Sequence, residues 1–94
     1  AILYLQSPQS GGELTIYDKQ WCKNDESQRN PDFGYSSDVV DGVEYLTIRP
    51  IPGNLVLLNP NFYHKIGSVC GPKPRISIGF FFAESSENNL YCWS

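Results

Sequence analysis

Short apolar runs alternate with clusters of Gly, Pro, Ser and Asn along the whole chain, with no heptad and no internal repeat. Apolar runs of strand length, bounded by turn residues, read as β-strands. Residues 1–6 (AILYLQ) form a first, almost continuously apolar strand. Residues 7–12 (SPQSGG) turn the chain, and residues 13–18 (ELTIYD) form a second strand with Leu14 and Ile16 on one face. Residues 43–49 alternate Val43, Tyr45, Thr47 and Arg49 against Glu44, Leu46 and Ile48, a half-buried strand with one wet face. Residues 55–58 are apolar without alternation, as expected of a strand covered on both sides. Two further runs follow, one around His64 and one opening at Arg75, joined by a loop containing Gly71, Pro72 and Pro74. Ile76, Ile78, Phe80 and Phe82 share one face of the last run, residues 84–89 are polar, and the chain closes with LYCWS.

Residues 19–41 differ in character, being dense in Asn, Asp, Ser, Gln, Pro and Gly with scattered aromatics (Trp21, Phe33, Tyr35). The pattern predicts a long, mostly irregular surface excursion. Loops longer than about 12–15 residues are usually functional covers or unstructured segments. A cover over a substrate and a solvated linker pinned by Trp21 are both open readings.

Composition agrees with the strand pattern. Alanine occurs only at Ala1 and Ala83 and methionine not at all, while Val, Ile, Thr, Tyr and Phe are plentiful. The expected class is all-β, with about six strands and a long 19–41 loop. The 94 residues are enough for at most one domain. Seven basic against ten acidic side chains leave a net charge of −3. Nucleic acid and anionic membrane need a basic surface, so neither is expected as the main partner. No apolar run approaches a membrane-spanning length, and no charged and apolar leader is visible. Cys22, Cys70 and Cys92 are widely spaced and odd in number, without a C-x-x-C. Buried free thiols in a reducing cytoplasm are the simplest expectation.

The candidate chemistry lies in residues 53–82. His64 is the sole histidine, and Arg75 follows eleven residues later. A hairpin through the Gly/Pro loop would set the two on neighbouring strands. Alternation then places Phe62 and Ile66 on the face of His64, and Ser77, Gly79 and Phe81 on that of Arg75. A neutral imidazole and a guanidinium would look into one cavity. The first suits a transition metal and the second a carboxylate held bidentately. With one histidine, no Ser/His/Asp or Cys/His nucleophile can be argued beyond His64 itself. Glu13 and Glu44 have no spacing that separates an acid/base pair from solvated strand carboxylates.

The order of strand, G-N-L-V-L at Gly53 to Leu57, F-Y-H at Phe62 to His64, loop, then R-x-S at Arg75 to Ser77 resembles the C-terminal half of the Fe(II)/2-oxoglutarate-dependent oxygenases. The Y-L of the first strand, its short loop and G-G-E-L at Gly11 to Leu14 resemble the same family, prolyl-hydroxylase-like members included. The aromatic tail, and Trp21 four residues after Tyr17, are similar to the indole-alkaloid halogenases of that superfamily. The resemblance implies a double-stranded β-helix, or jelly roll, in which two histidines and a carboxylate hold Fe(II). It implies that His64 is the second histidine ligand and Arg75 the clamp on the far carboxylate of 2-oxoglutarate. Ser77 and Tyr4 would hydrogen-bond that same carboxylate, although a tyrosine in an apolar strand is equally a core or rim residue. The implied reaction spends O2 and 2-oxoglutarate, releasing succinate and CO2, to break an unactivated C–H bond of a small-molecule or peptidyl substrate.

The chain departs from the family at one point, because the H-x-D/E motif that supplies the other two ligands is not in these residues. Six strands also fill only part of an eight-stranded jelly roll. The expectation is therefore the C-terminal portion of a longer catalytic domain, needing its N-terminal half and poorly folded alone. A carboxylate in the upstream motif would mean hydroxylation, and Gly or Ala there would leave room for chloride on iron. The alternatives are a non-catalytic β-jelly-roll binding module of cupin or lectin type, in which His64 and Arg75 hold a small acidic ligand, and a purely structural domain.

Overall fold

The β-branched and aromatic runs form twelve strands in the computed structural model, which describes residues 1–94. They are β1 (Ile2–Gln6), β2 (Ser10–Gly11), β3 (Leu14–Gln20), β4 (Arg29–Asn30), β5 (Gly34–Tyr35), β6 (Tyr45–Ile48), β7 (Leu55–Val56), β8 (Phe62–Ile66), β9 (Val69–Cys70), β10 (Ile76–Gly79), β11 (Phe81–Glu84) and β12 (Leu90–Trp93). The only helical segments are two 3-10 turns, Lys23–Gln28 and Ser37–Val40. The fold is all-β and jelly-roll-like.

Two antiparallel three-stranded sheets carry the architecture, one ordered β10-β1-β7 and the other β6-β3-β8. Each central strand contributes one fully buried side chain, Tyr4 from β1 and Leu14 from β3, both 0% exposed. Ladder partners in an antiparallel pair point to one face. Ser77, opposite Tyr4, therefore shares the inner face of the first sheet. His64 and Leu46, both opposite Ile16, share the inner face of the second with Leu14 and Ile66. That second face is half open, with Leu46 54% and Ile66 50% exposed. The radius of gyration, 15.1 Å, exceeds the roughly 12 Å of a compact chain of this length. These residues alone do not close a core.

Several sequence expectations change. The six anticipated strands are present, and short ribbons β2–β9, β4–β5 and β11–β12 are added to them. The hairpin between the His64 and Arg75 strands does not form, since β8 pairs with β3 and β10 with β1. Between them β9 leaves to pair with β2, and the chain then crosses from one sheet to the other through residues 71–74. Pro72 and Pro74 lack the N–H a continuing ladder would need, and Gly71 turns at φ +90°. The final apolar run breaks at Phe80, whose N–H reaches the Ala1 carbonyl before β11 turns to pair with β12. Leu55 and Leu57 are exposed rather than covered on both faces. Cys22, Cys70 and Cys92 are free, as expected, but exposed rather than buried. Each stands in a short ribbon or turn outside the two central strands.

The excursion is mostly exposed, but it is less irregular than expected. Strand β3 runs on to Gln20, and residues 21–41 then fold into the two 3-10 turns and the β4–β5 ribbon. Asp25, 6% exposed, holds this unit to the β8 strand.

Candidate functional site

Tyr4 and Ser77 sit opposite one another in the β1–β10 ladder, and Arg75 precedes Ser77 by one full pleat. The register slips between Tyr4 and Gln6. Such a bulge bends a strand and re-aims its side chains. Gln6 Nε2 then ties the bulged end to the Pro74 carbonyl at 2.9 Å, which fixes the start of β10 beside Tyr4.

Arg75 lies over the Tyr4 ring, its guanidinium carbon 5.3 Å from the ring centre. No carboxylate of the chain reaches it. Two buried polar atoms at this place have no hydrogen-bond partner, Tyr4 Oη and Arg75 Nε. A buried donor left unmade costs about 1–3 kcal/mol, so each of the two atoms calls for an acceptor that residues 1–94 do not supply. A carboxylate supplies two acceptor oxygens to a guanidinium and a phenol. The far carboxylate of 2-oxoglutarate fits this donor set.

Gly12 makes room for the arginine. Its φ is +75°, and a Cβ built there would lie 3.0 Å from Arg75 Cδ and 3.2 Å from side-chain carbons of Pro8 and Val69. The second glycine of G-G-E-L therefore shapes the channel of the arginine stem as well as turning the chain, a role the turn reading alone missed.

His64 is exposed on β8. Its Nδ1 lies 2.8 Å from the Phe62 carbonyl. A carbonyl only accepts, so Nδ1 carries the proton, and it is Nε2 that a neutral ring would present as a lone pair. Metal-bound histidines are commonly oriented in this way. Together with Ile2, Leu58, Pro60, Gly79 and Phe81, His64 lines a cavity of about 200 Å3. Gly79 shares its β10 face with Ser77 and Arg75, so both sheets border the cavity, but Arg75 and Tyr4 are not among its walls. No group of three His, Cys, Asp or Glu side chains gathers as a metal site. His64 fits one ligand position, and an iron bound here would take its other protein ligands from outside residues 1–94. Glu13 and Glu44 stand at opposite ends of the β3–β6 pair and form no acid/base couple.

Beside His64, a polar cluster that the sequence did not reveal anchors the excursion. Asp25 accepts from Tyr63 Oη at 3.0 Å, Lys19 Nζ at 3.2 Å, and the Cys22 N–H and thiol at 3.3 and 3.4 Å. Burial raises the pKa of Asp25, but the hydrogen bonds from Tyr63, Cys22 and Lys19 outweigh it and hold the carboxyl below its usual range. Burial, and then the Asp25 carboxylate, push the Tyr63 phenol far above its ordinary value. Farther out, Glu26 accepts from Tyr35 Oη and from Trp21 Nε1, the latter at 3.0 Å. These bonds, Tyr35 first, lower the Glu26 pKa.

The chain is thus an all-β, jelly-roll-like piece with a histidine oriented by a backbone carbonyl and a half-buried arginine whose buried Nε has no partner. The family model described as carrier-protein-independent halogenase WelO5 matches residues 1–94, and the chain belongs to that family. Among curated relatives, the L-gamma-glutamyl-L-propargylglycine hydroxylase of Streptantibioticus cattleyicolor is 29% identical over 91 residues, covering 97% of this chain and 34% of the relative. The leucinostatins biosynthesis cluster protein S of Purpureocillium lilacinum is 34% identical over 67 residues, covering 67% of this chain and 28% of the relative. The chain thus spans about a third of the length of these relatives. A halogenase family and a hydroxylase relative together support an Fe(II)/2-oxoglutarate oxygenase-like class. No helix is long and apolar enough to cross a membrane.

Proposed function

We propose that these residues are the C-terminal portion of the catalytic domain of an Fe(II)- and 2-oxoglutarate-dependent oxygenase, a hydroxylase or halogenase that attacks an unactivated C–H bond. The observation that carries the reading is the pair of buried, unpartnered polar atoms at Tyr4 and Arg75. Arg75 binds the far carboxylate of 2-oxoglutarate through its guanidinium fork, Tyr4 donates its phenol to the same group, and Ser77 adds a hydroxyl from the same strand face. His64 offers Nε2 to iron, with the Phe62 carbonyl fixing the ring. The remaining ligands come from an upstream H-x-D/E or H-x-G/A motif on the N-terminal half of the barrel, and that third position decides hydroxylation or halogenation. When bound, iron with 2-oxoglutarate and O2 supplies the oxidising power. The chain's own share is to bind and orient. The substrate is a small molecule or a peptidyl group, in keeping with the dipeptide named for the Streptantibioticus relative, and the setting is the cytoplasm.

The test is Arg75→Ala in the full-length protein, followed by succinate formation. The apparent requirement for 2-oxoglutarate should rise by about 10–100-fold, the value of a lost charged hydrogen bond. The requirement for substrate should change little. Equal rises in both would remove Arg75 from the clamp role.

A further inference from the structure

The excursion builds a groove in front of β8 that the co-substrate reading leaves unassigned. Its volume is about 470 Å3, and its walls include Trp21, Arg29, Tyr35, Tyr63 and His64. That size suits a small molecule. Strand pairing sets Arg29 opposite Tyr35, so both project from one face of the β4–β5 ribbon. Tyr35 meets Tyr63 edge-on with ring centres 5.2 Å apart. Trp21 Nε1 donates to Tyr35 Oη at 2.8 Å, which holds the indole beside them. Flat apolar walls therefore run from the ribbon to the histidine.

Charge in the groove is one-sided. No Asp or Glu lines it, and Arg29 is its one fixed cation. Glu26 stands nearby, but one of its oxygens is spent on Trp21 and Tyr35. The other approaches Arg29 Nη1 only to 3.8 Å, beyond hydrogen-bond reach. Arg29 makes no hydrogen bond through its guanidinium and only a loose ion pair with Glu26, so its N–H donors remain available to a planar anion.

We infer that this groove is the substrate site, and that it takes a small molecule with a flat apolar body and a carboxylate, the carboxylate on Arg29 and the body between Trp21, Tyr35 and Tyr63. The far end of such a molecule then points at His64. The inference rests on the oxygenase reading only for the statement that His64 marks the reacting end.

The test measures binding rather than turnover, on the full-length protein, with 2-naphthylacetate and its neutral isostere 2-naphthylacetamide as probes. The wild type should bind the carboxylate about tenfold tighter than the amide, the value of one charge-assisted contact at a partly wet site. Arg29→Gln should erase that preference and Arg29→Lys should keep part of it, while Arg75→Gln should leave it intact. Equal binding of the two probes by the wild type overturns the inference, as does a preference that survives Arg29→Gln or disappears in Arg75→Gln. Succinate formation is not part of the readout. A protein without oxygenase activity can pass this test, and an active oxygenase can fail it.

Discussion

The guanidinium of Arg75 lies over the ring of Tyr4, 5.3 Å from its centre, and each residue buries a polar atom that nothing satisfies. Ring and cation attract, but that attraction uses neither the phenol hydrogen nor the Nε hydrogen. Tyr4→Phe separates the two effects, because it keeps the stacking and deletes the unpartnered hydroxyl. Thermal stability of the full-length protein without 2-oxoglutarate should stay the same or rise slightly, since a costly buried donor is gone. The rise in melting temperature on adding 2-oxoglutarate should shrink, with affinity falling about tenfold. A variant that loses stability but keeps its ligand response would make Tyr4 a core residue only.

Gly12 touches no proposed ligand, yet it should control one. An added methyl there would crowd Arg75 Cδ at 3.0 Å while holding the backbone at φ +75°. Left-handed backbone costs a non-glycine residue about 1–2 kcal/mol. Gly12→Ala should therefore lower stability by that amount and, by displacing the arginine stem, weaken 2-oxoglutarate binding more than substrate binding. Calorimetric titration with each ligand checks the asymmetry. Affinity for 2-oxoglutarate equal to wild type would show that Arg75 is free to yield.

For His64 the expected signature is the reverse. The side chain is exposed and its one hydrogen bond returns to its own strand at Phe62. His64→Ala in the full-length protein should leave the melting temperature of the metal-free form within a few degrees, since exposed substitutions usually cost under about 0.5 kcal/mol. Fe(II) or Mn(II) affinity should collapse, because a neighbouring backbone carbonyl cannot replace an imidazole. Unchanged metal content would remove His64 from the ligand set.

Much of this was legible in the chain because strand periodicity is local. The two central strands, the G-G turn, His64 and Arg75 all announce themselves within a few residues. Their mutual placement did not. Whether β8 pairs with β10 depends on β9 choosing β2, a contact between Cys70 and Ser10 some sixty residues apart, and no window of sequence contains it. The same holds for Tyr4 opposite Ser77. Asp25 was invisible for another reason, since it is one acid in a run of Lys, Asn, Glu and Ser. Only the fold reveals that it is the one reached by Tyr63, Lys19 and Cys22. The cysteines misled because free thiols are commonly buried, while these three lie outside the two central strands that carry the fully buried side chains.

The Asp25 cluster gives the excursion a dependence on pH. The carboxyl titrates below its unfolded value because the donors from Tyr63, Cys22 and Lys19 favour the charged form against the penalty of burial. A depressed folded pKa contributes stability that is present above the unfolded pKa, near 4, and is lost as pH falls through the folded value. At neutral pH residues 21–41 should therefore be held against β8, and they should loosen on acidification below about pH 4. Hydrogen exchange across the β4–β5 ribbon reports this directly. Asp25→Asn keeps the shape but removes the charge, so its ribbon should exchange faster at neutral pH and show no further step on acidification. An unchanged acid step in that variant would assign the loosening to another carboxylate. Because Tyr63 adjoins His64 and lines the aromatic groove, the same variant should also weaken 2-naphthylacetate binding at neutral pH. The loss of the latch and the loss of the groove would then appear together, as one event at β8.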